Sequence, residues 1–164
     1  MQSLNPVRIE ISIQTQSLSV YQSNKPIVQY PISSAAKGVG QQKNSNQTPV
    51  GRHLIRAKIG DDQPMNAVFV GRRPTGEIYR PELAQTFPQR DWILSRILWL
   101  SGCERGLNRL GQVDSMQRYI YIHGTPDSEP MGLPCSHGCI RMRNEDVIAL
   151  FDQVSVGTAV DIKP

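Results

Sequence analysis

Residues 7–13 read Val-Arg-Ile-Glu-Ile-Ser-Ile, with Val7, Ile9, Ile11 and Ile13 on one side and Arg8, Glu10 and Ser12 on the other. A period of two sends successive side chains to opposite faces of an extended chain, the signature of a half-buried β-strand. The same alternation excludes a secretory leader here, which needs an unbroken apolar run of roughly 7–15 residues. Outward from this stretch the pattern recurs around Leu18 and Val20. It returns after a Ser23-Asn24-Lys25-Pro26 turn in 27–32, then in 53–59, 67–70, 118–123 and 158–162. Two segments read as helices. Residues 90–102 put Ile93, Leu94, Ile97 and Leu98 on one face and end at Gly102, with Trp92 and Trp99 at the helix–sheet interface. Residues 144–154 start with Asn144 as N-cap, place Glu145 and Asp146 in the first turn, and bury Val147, Ile148, Phe151 and Val154. No repeat, heptad or change of composition divides the chain. The expected class is mostly β with two helices, one domain over 1–164 with its core over about 7–162.

Composition agrees with that class. The 164 residues are 38% hydrophobic and 20% charged, enough to bury a core without a disulfide framework or structural metal. Eighteen Lys and Arg against 14 Asp and Glu give a net charge of +4, a mild bias toward acidic ligands. The charge is too scattered to indicate nucleic acid. The richest apolar run, 92–100, is broken by Ser95 and Arg96 and is far shorter than the roughly 20 residues of a membrane span. Three cysteines, Cys103, Cys135 and Cys139, cannot all pair internally. Together with the absent leader pattern they imply a cytoplasmic protein, or a periplasmic one if a signal peptide has been lost. Residues 33–49, rich in Ser, Gly, Gln, Asn and Lys, form a long loop of the functional or mobile kind.

The chemistry concentrates in Tyr121-Ile122-His123-Gly124-Thr125 and, twelve residues after His123, in Ser136-His137-Gly138-Cys139-Ile140-Arg141-Met142. A strand ending in His, followed by a Gly-bearing loop ending in Cys, suits a thiol nucleophile with an imidazole base. A free thiol near pKa 8.5 is mostly protonated at neutral pH, and a neighbouring His can take that proton to leave a thiolate–imidazolium pair. Gly138 lets the backbone turn so that consecutive N–H groups face one oxyanion.

These residues resemble the signature of the L,D-transpeptidase (YkuD-type) catalytic domain, over about 7–162. Gly38, Thr48-Pro49, Gly51 and Gly157-Thr158 are similar to its other landmarks. The resemblance implies a β-sandwich with a substrate cradle. It implies Cys139 as nucleophile and His123 as general base and acid, oriented by the carbonyl of Gly124. It implies an oxyanion hole from the N–H groups of Gly138 and Cys139. Ser136, His137 and Tyr121 would line the site, and Arg141 would hold a substrate carboxylate. The implied substrate is a peptidoglycan stem tetrapeptide or muropeptide, attacked at the third, L-centred residue with loss of D-Ala. Carbapenems are expected to acylate the thiol, and no cofactor is required.

Other readings stand beside these. Cys139 could be a small buried hydrophobe. His137 could hold the loop instead of acting in catalysis, and Arg141 could pair with Glu145 or Asp146. Cys135, His137 and Cys139 suggest a metal, but the spacing of a structural zinc site and a second ligand pair are missing. Cys135 could form an inhibitory disulfide with Cys139. The lid would come from 75–90 or, by preference, 102–116. Expected release of the acyl group to water makes an L,D-carboxypeptidase of muropeptide recycling. The alternatives are a transpeptidase forming 3→3 cross-links or exchanging D-amino acids, and a muropeptide-binding module without turnover. Oligomeric state is not legible.

Overall fold

The computed structural model describes residues 6–164, so residues 1–5 of the expected domain lie outside the described residues. In chain order the strands are β1 (Val7–Ser12), β2 (Ser17–Gln22), β3 (Lys25–Pro31), β4 (Gly51–Ile59), β5 (Ala67–Val70) and β6 (Arg73–Ile78). Helix α1 (Pro81–Thr86) precedes β7 (Ile93–Gly102), β8 (Tyr121–Gly124) and β9 (Ile140–Met142), and helix α2 (Asn144–Gln153) precedes β10 (Ala159–Lys163). The main path of the sheet runs β3-β2-β1-β10-β4-β7-β5-β6, with β8 on β7 and β9 on β8. Hairpins build its left part. The parallel β1–β10 pair closes the chain on itself, with Ile9 opposite Val160 and Ile11 opposite Ile162. The class is the expected one, mostly β with two helices in one domain.

The second helix is not where the sequence placed it. Residues 93–102 form β7, the longest strand. Its side chains alternate between two cores: Leu98 and Leu100 pack with Ile122, Ile140 and α2, while Ile97 and Trp99 pack with Ala67, Phe69 and Tyr121. A strand covered on both faces reads as an unbroken apolar run, which periodicity alone does not separate from a buried helix. A bulge completes the disguise. The register slips between Leu94 and Ile97, and Ser95 takes φ +70°. The slip puts Ile93, Leu94, Ile97 and Leu98 at a helix-like spacing.

The bulge is also where β7 changes neighbours. Ile97 pairs Ile59 of β4 on one edge and His123 of β8 on the other, whereas Leu94 pairs Val68 of β5 and Gly124. The helix actually present, α1, is a six-residue turn opened by Pro81, and it lays Leu83 and Ala84 on Trp92. Trp92 therefore meets a helix, but one on its own N-terminal side. Trp99 sits on the strand and donates its indole N–H to the Met116 carbonyl at 3.1 Å.

Helix α2 is as expected in position, with one exchange in its stripe. Leu150 is buried with Val147 and Phe151, and Ile148 is only half-buried. Arg143, not Asn144, occupies the cap position, and no side chain caps it. Among the described residues no helix is long and apolar enough to cross a membrane.

Candidate active site

Two parallel strands build the site. In the β8–β9 pair His123 lies opposite Arg141, and Cys139 immediately precedes β9. The His123 ring is buried, and its Nδ1 meets the Gly124 carbonyl at 2.6 Å. A carbonyl only accepts, so Nδ1 carries the proton and Nε2 is the basic nitrogen of the neutral ring. Among the described residues Nε2 has no hydrogen-bond partner.

Gly124 is demanded by close packing. A Cβ there would stand 2.6 Å from the Leu94 carbonyl oxygen and collide with Asn144 Oδ1. Asn144 is the clamp behind it. Its Nδ2 donates to the Thr125 carbonyl at 2.9 Å and to Asn66 Oδ1 at 3.0 Å, and its Oδ1 accepts from Ser95 Oγ at 2.6 Å. The side chain that a capping rule assigns to the helix thus ties α2, the β7 bulge and the end of β8 together.

The thiol is held by backbone. Tyr121 N–H donates to Cys139 Sγ at 3.3 Å, and Sγ–H donates to the Tyr119 carbonyl at 3.3 Å. Tyr119 has φ +56°, a region where an aromatic side chain is strained, and this turn contributes the carbonyl that meets the sulfur. The loop before Cys139 is equally fixed. Gly138 takes φ +132°, where only glycine is at ease, and its carbonyl accepts from Thr48 Oγ1 at 2.9 Å. Ser136 Oγ donates to the Cys139 carbonyl at 2.6 Å and accepts from Gly138 N–H at 3.2 Å.

Burial dominates the electrostatics. Desolvation pushes the Cys139 thiol up to about 12, with Asp91 adding to the rise and the Tyr121 N–H, Arg141 and Arg118 opposing it. Desolvation holds His123 below its ordinary 6.5, against the Gly124 hydrogen bond and Asp91. Both shifts favour the neutral forms, thiol and imidazole, over the thiolate–imidazolium pair expected from the sequence.

Several expected contacts change. Ser136 does not line the cleft; it is sealed beneath the loop as its internal brace. Tyr121 is buried too, its hydroxyl accepting from Arg72 Nη1 at 3.0 Å, and it meets the sulfur through its backbone N–H. The Gly138 N–H is engaged by Ser136, which leaves the neighbouring Cys139 N–H as the better-placed oxyanion donor of the expected pair. Arg141 does not pair with Glu145 or Asp146. Its guanidinium, with a side chain only 9% exposed, reaches Asp91 at 3.3 Å and Glu129 at 3.6 Å. His137 is exposed, with Nδ1 3.8 Å from Asp91.

His137 separates two clefts. One, of about 230 Å³, is bounded by 88–92, Thr125, Pro126, Glu129 and Arg141. The other, of about 210 Å³, is bounded by Lys43, Asn44, Asn46 and 117–120. The wall nearest Arg141 therefore comes from the end of 75–90, and the preferred lid segment 102–116 is instead tied to β4 by Asn108, which donates to the Val50 and Arg52 carbonyls. The 33–49 loop does belong to the site, pinned by Arg118 through Gly40, Gln41, Ser45 and Gln47. Asp91, Arg118 and the clamping role of Asn144 escaped the sequence reading. No local spacing links 91 or 118 to 136–141, and the helix expected over 90–102 gave Asp91 no role. Among the described residues no cluster of three or more His, Cys, Asp or Glu forms a metal-holding group.

Comparison with known proteins converges on one family. The family model described as the L,D-transpeptidase catalytic domain, YkuD, matches residues 6–162. The L,D-transpeptidase YkuD assigned in Bacillus licheniformis is 30% identical over 159 residues, covering 97% of this chain and 67% of that protein. The L,D-transpeptidase YbiS assigned in Escherichia coli K12 is 54% identical over 43 residues, 26% of this chain and only 14% of YbiS. Among solved structures, L,D-transpeptidase 3 of Mycobacterium tuberculosis with a faropenem-derived adduct superposes with a TM-score of 0.59 at 16% identity. That match covers 98% of this chain and 61% of the mycobacterial one, a likeness of fold.

Proposed function

The chain belongs to the L,D-transpeptidase catalytic-domain family, and from that premise we propose that it is a cysteine-dependent acyl-transfer enzyme acting on peptidoglycan stem peptides. Cys139 is the nucleophile and His123 the proton carrier. The observation that carries this reading is the His123 tether. Nδ1–H bound to the Gly124 carbonyl at 2.6 Å leaves Nε2 as the free base of a buried ring, two residues along β8 from Tyr121, whose N–H meets the Cys139 sulfur at 3.3 Å.

The steps follow from the resting protonation. As Sγ attacks the carbonyl of the stem's third, L-centred residue, the thiol proton passes to Nε2, so charge separates only while the C–S bond forms. The carbonyl oxygen becomes an oxyanion, to which the Cys139 N–H, unengaged among the described residues, donates. On collapse the C–N bond breaks, and the imidazolium returns its proton to the departing amine of the D-residue. A thioester on Cys139 and a neutral His123 remain. An incoming water or amine then gives its proton to Nε2, attacks the thioester and releases the thiol. A carbonyl orients His123 here in place of a carboxylate; desolvation outweighs that hydrogen bond and Asp91, which favour the imidazolium, and holds the ring below its ordinary 6.5.

The acceptor divides the two finer readings. Water gives tripeptide and makes the protein an L,D-carboxypeptidase, as expected from the sequence. An amine gives a cross-linked or exchanged product, the activity for which the relatives are named. The chain spans 14% of YbiS and 61% of the mycobacterial structure in these matches, so what the whole protein does is part of the proposal. The same holds for a cytoplasmic location. A faropenem-type β-lactam, recorded as an adduct in the mycobacterial relative, is proposed to acylate Cys139 here.

Mass spectrometry of the protein incubated with stem tetrapeptide, with and without a D-amino acid, tests the reading. A thioester on Cys139 followed by tripeptide or exchanged tetrapeptide is the expected result. Turnover that persists in Cys139→Ala would sink it, and the ratio of the two products assigns the acceptor.

A further inference from the structure

The two clefts that meet at His137 carry opposite electrical characters. On the Arg141 side the cation is already spent on Asp91 and Glu129, whose side chains are 49% and 40% exposed. A substrate carboxylate entering there meets two anions. On the other side the charges are Lys43 and Arg118, and no carboxylate lines that cleft. Half-buried Arg118 spends its hydrogen bonds on neutral acceptors: the carbonyls of Gly40, Gln41 and Gln47, and Ser45 Oγ. Among the described residues neither Lys43 nor Arg118 has an acidic partner. Two positive charges therefore face a cleft of about 210 Å³ without compensation.

That cleft adjoins the reacting sulfur. Tyr119 and Ile120 form part of its wall, and the Tyr119 carbonyl is the acceptor of the Cys139 thiol at 3.3 Å. Consecutive Cα atoms are about 3.8 Å apart, so a residue seated there is one of the two joined by the scissile bond, and of these only the leaving one ends in a free carboxylate. We propose that this cleft receives the leaving D-residue of the stem peptide and that the Lys43 ammonium, in the field of Arg118, binds its free terminal carboxylate.

The proposal rests on the acyl-transfer reading above and adds a direction to it. The leaving residue lies on the Lys43 side of His137. It also makes Lys43 a specificity-determining residue: a stem that continues past its fourth residue, or ends in an amide, brings no carboxylate to it. Arg118 is a positioning residue, because its guanidinium holds the 40–47 loop that carries Lys43. The anion site that the sequence assigned to Arg141 moves across the cleft.

The test compares stem tetrapeptide with its C-terminal carboxamide on wild type, Lys43→Gln, Lys43→Arg and Lys43→Glu. Lys43 is exposed, so each variant is expected to keep the wild-type unfolding midpoint. Wild type should form the thioester from the acid with kcat/KM roughly tenfold above the carboxamide, the scale of one charge-assisted hydrogen bond. Lys43→Gln should bring the acid down to the carboxamide and leave the carboxamide unchanged. Lys43→Arg should retain the preference, and Lys43→Glu should invert it. Equal rates for acid and carboxamide in wild type, or the same ratio in Lys43→Gln, would overturn the proposal. If neither peptide forms a thioester, the acyl-transfer reading fails. Calorimetry of both peptides with Cys139→Ser then decides the cleft by itself: acid-selective binding lost on adding Lys43→Gln supports it, and equal binding overturns it.

Discussion

Two buried histidines show how one local device serves opposite ends. His53 on β4 and His123 on β8 each present Nδ1 to a glycine carbonyl, Gly51 at 3.0 Å and Gly124 at 2.6 Å, and burial depresses the basicity of both. They differ at the other nitrogen. His53 Nε2 is bound to Ser115 Oγ at 2.8 Å and is closed, whereas His123 Nε2 has no partner among the described residues. Tethering a ring by its backbone neighbour fixes the tautomer. What the second nitrogen touches decides whether the ring is cement or tool.

The largest effect should separate them cleanly. His123→Ala is expected to slow thioester formation by roughly 10²–10⁴-fold, the scale of a lost general base. His53→Ala should cost about 2–4 kcal/mol of unfolding free energy through its cavity and the unpaired Ser115 hydroxyl. Acylation per folded molecule should stay at the wild-type rate. Denaturant titrations and single-turnover acylation on both variants check this. An active-site defect in His53→Ala at wild-type stability would break the distinction.

A smaller effect probes the tether. In Gly124→Ala the new methyl must push against the Leu94 carbonyl, a rigid neighbour 2.6 Å away, and against Asn144. The displaced carbonyl releases Nδ1, and the imidazole loses its aim. Acylation should fall roughly 10- to 100-fold, a misplacement cost paid in kcat more than KM. Wild-type kcat in this variant would show that the carbonyl does not orient the ring.

The contrast in legibility follows the same lines as the contrast in role. β1, β2, β4 and β10 bury one face, so Ile9, Ile11, Leu18 and Ile162 show period two and were readable. β7 is buried on both faces and bulged at Ser95, so no periodicity survived to identify it. At the site, what lies within a few residues was legible: His123, Gly124, Gly138 and Cys139 sit in two short motifs. Their supports come from far along the chain, Thr48 90 residues from Gly138 and Asp91 50 residues from Arg141. No single-sequence pattern ties such positions together. The direction of the two pKa shifts was not legible for a related reason. Thiolate character depends on burial and on which carbonyl the thiol meets, and Tyr119 shows neither in its sequence context.

The raised thiol supplies the next prediction. A neutral resting thiol should react slowly with a small alkylating agent. At pH 7.5 iodoacetamide should modify the exposed Cys103 at least about tenfold faster than Cys139, read by peptide mass spectrometry. Asp91→Asn removes the anion that raises the thiol further and should speed Cys139 alkylation. Preferential alkylation of Cys139 in wild type would restore the ion pair.

The smallest expected effect unites the two histidines again. Both have folded pKa values below 6.5. Between the folded value and 6.5 the unfolded chain binds protons that the native chain refuses, so stability rises with pH across that window. The contribution is complete above 6.5 and is lost as pH falls, with a slope of at most about 1.4 kcal/mol per pH unit for each ring. Glu10, held below 4.5 by Arg8 and Lys163 against its own desolvation, loses its contribution only in more acid solution. Denaturant unfolding should therefore give constant stability from pH 8 to 7 and a decline that sets in as pH falls below 6.5. His53→Asn should lower the plateau and make the decline shallower, because one of the two refusing rings is gone. Stability that stays flat to pH 5 in wild type would mean that water reaches both rings in the native state. The difference between a closed and an open histidine would then have to rest on hydrogen bonding alone.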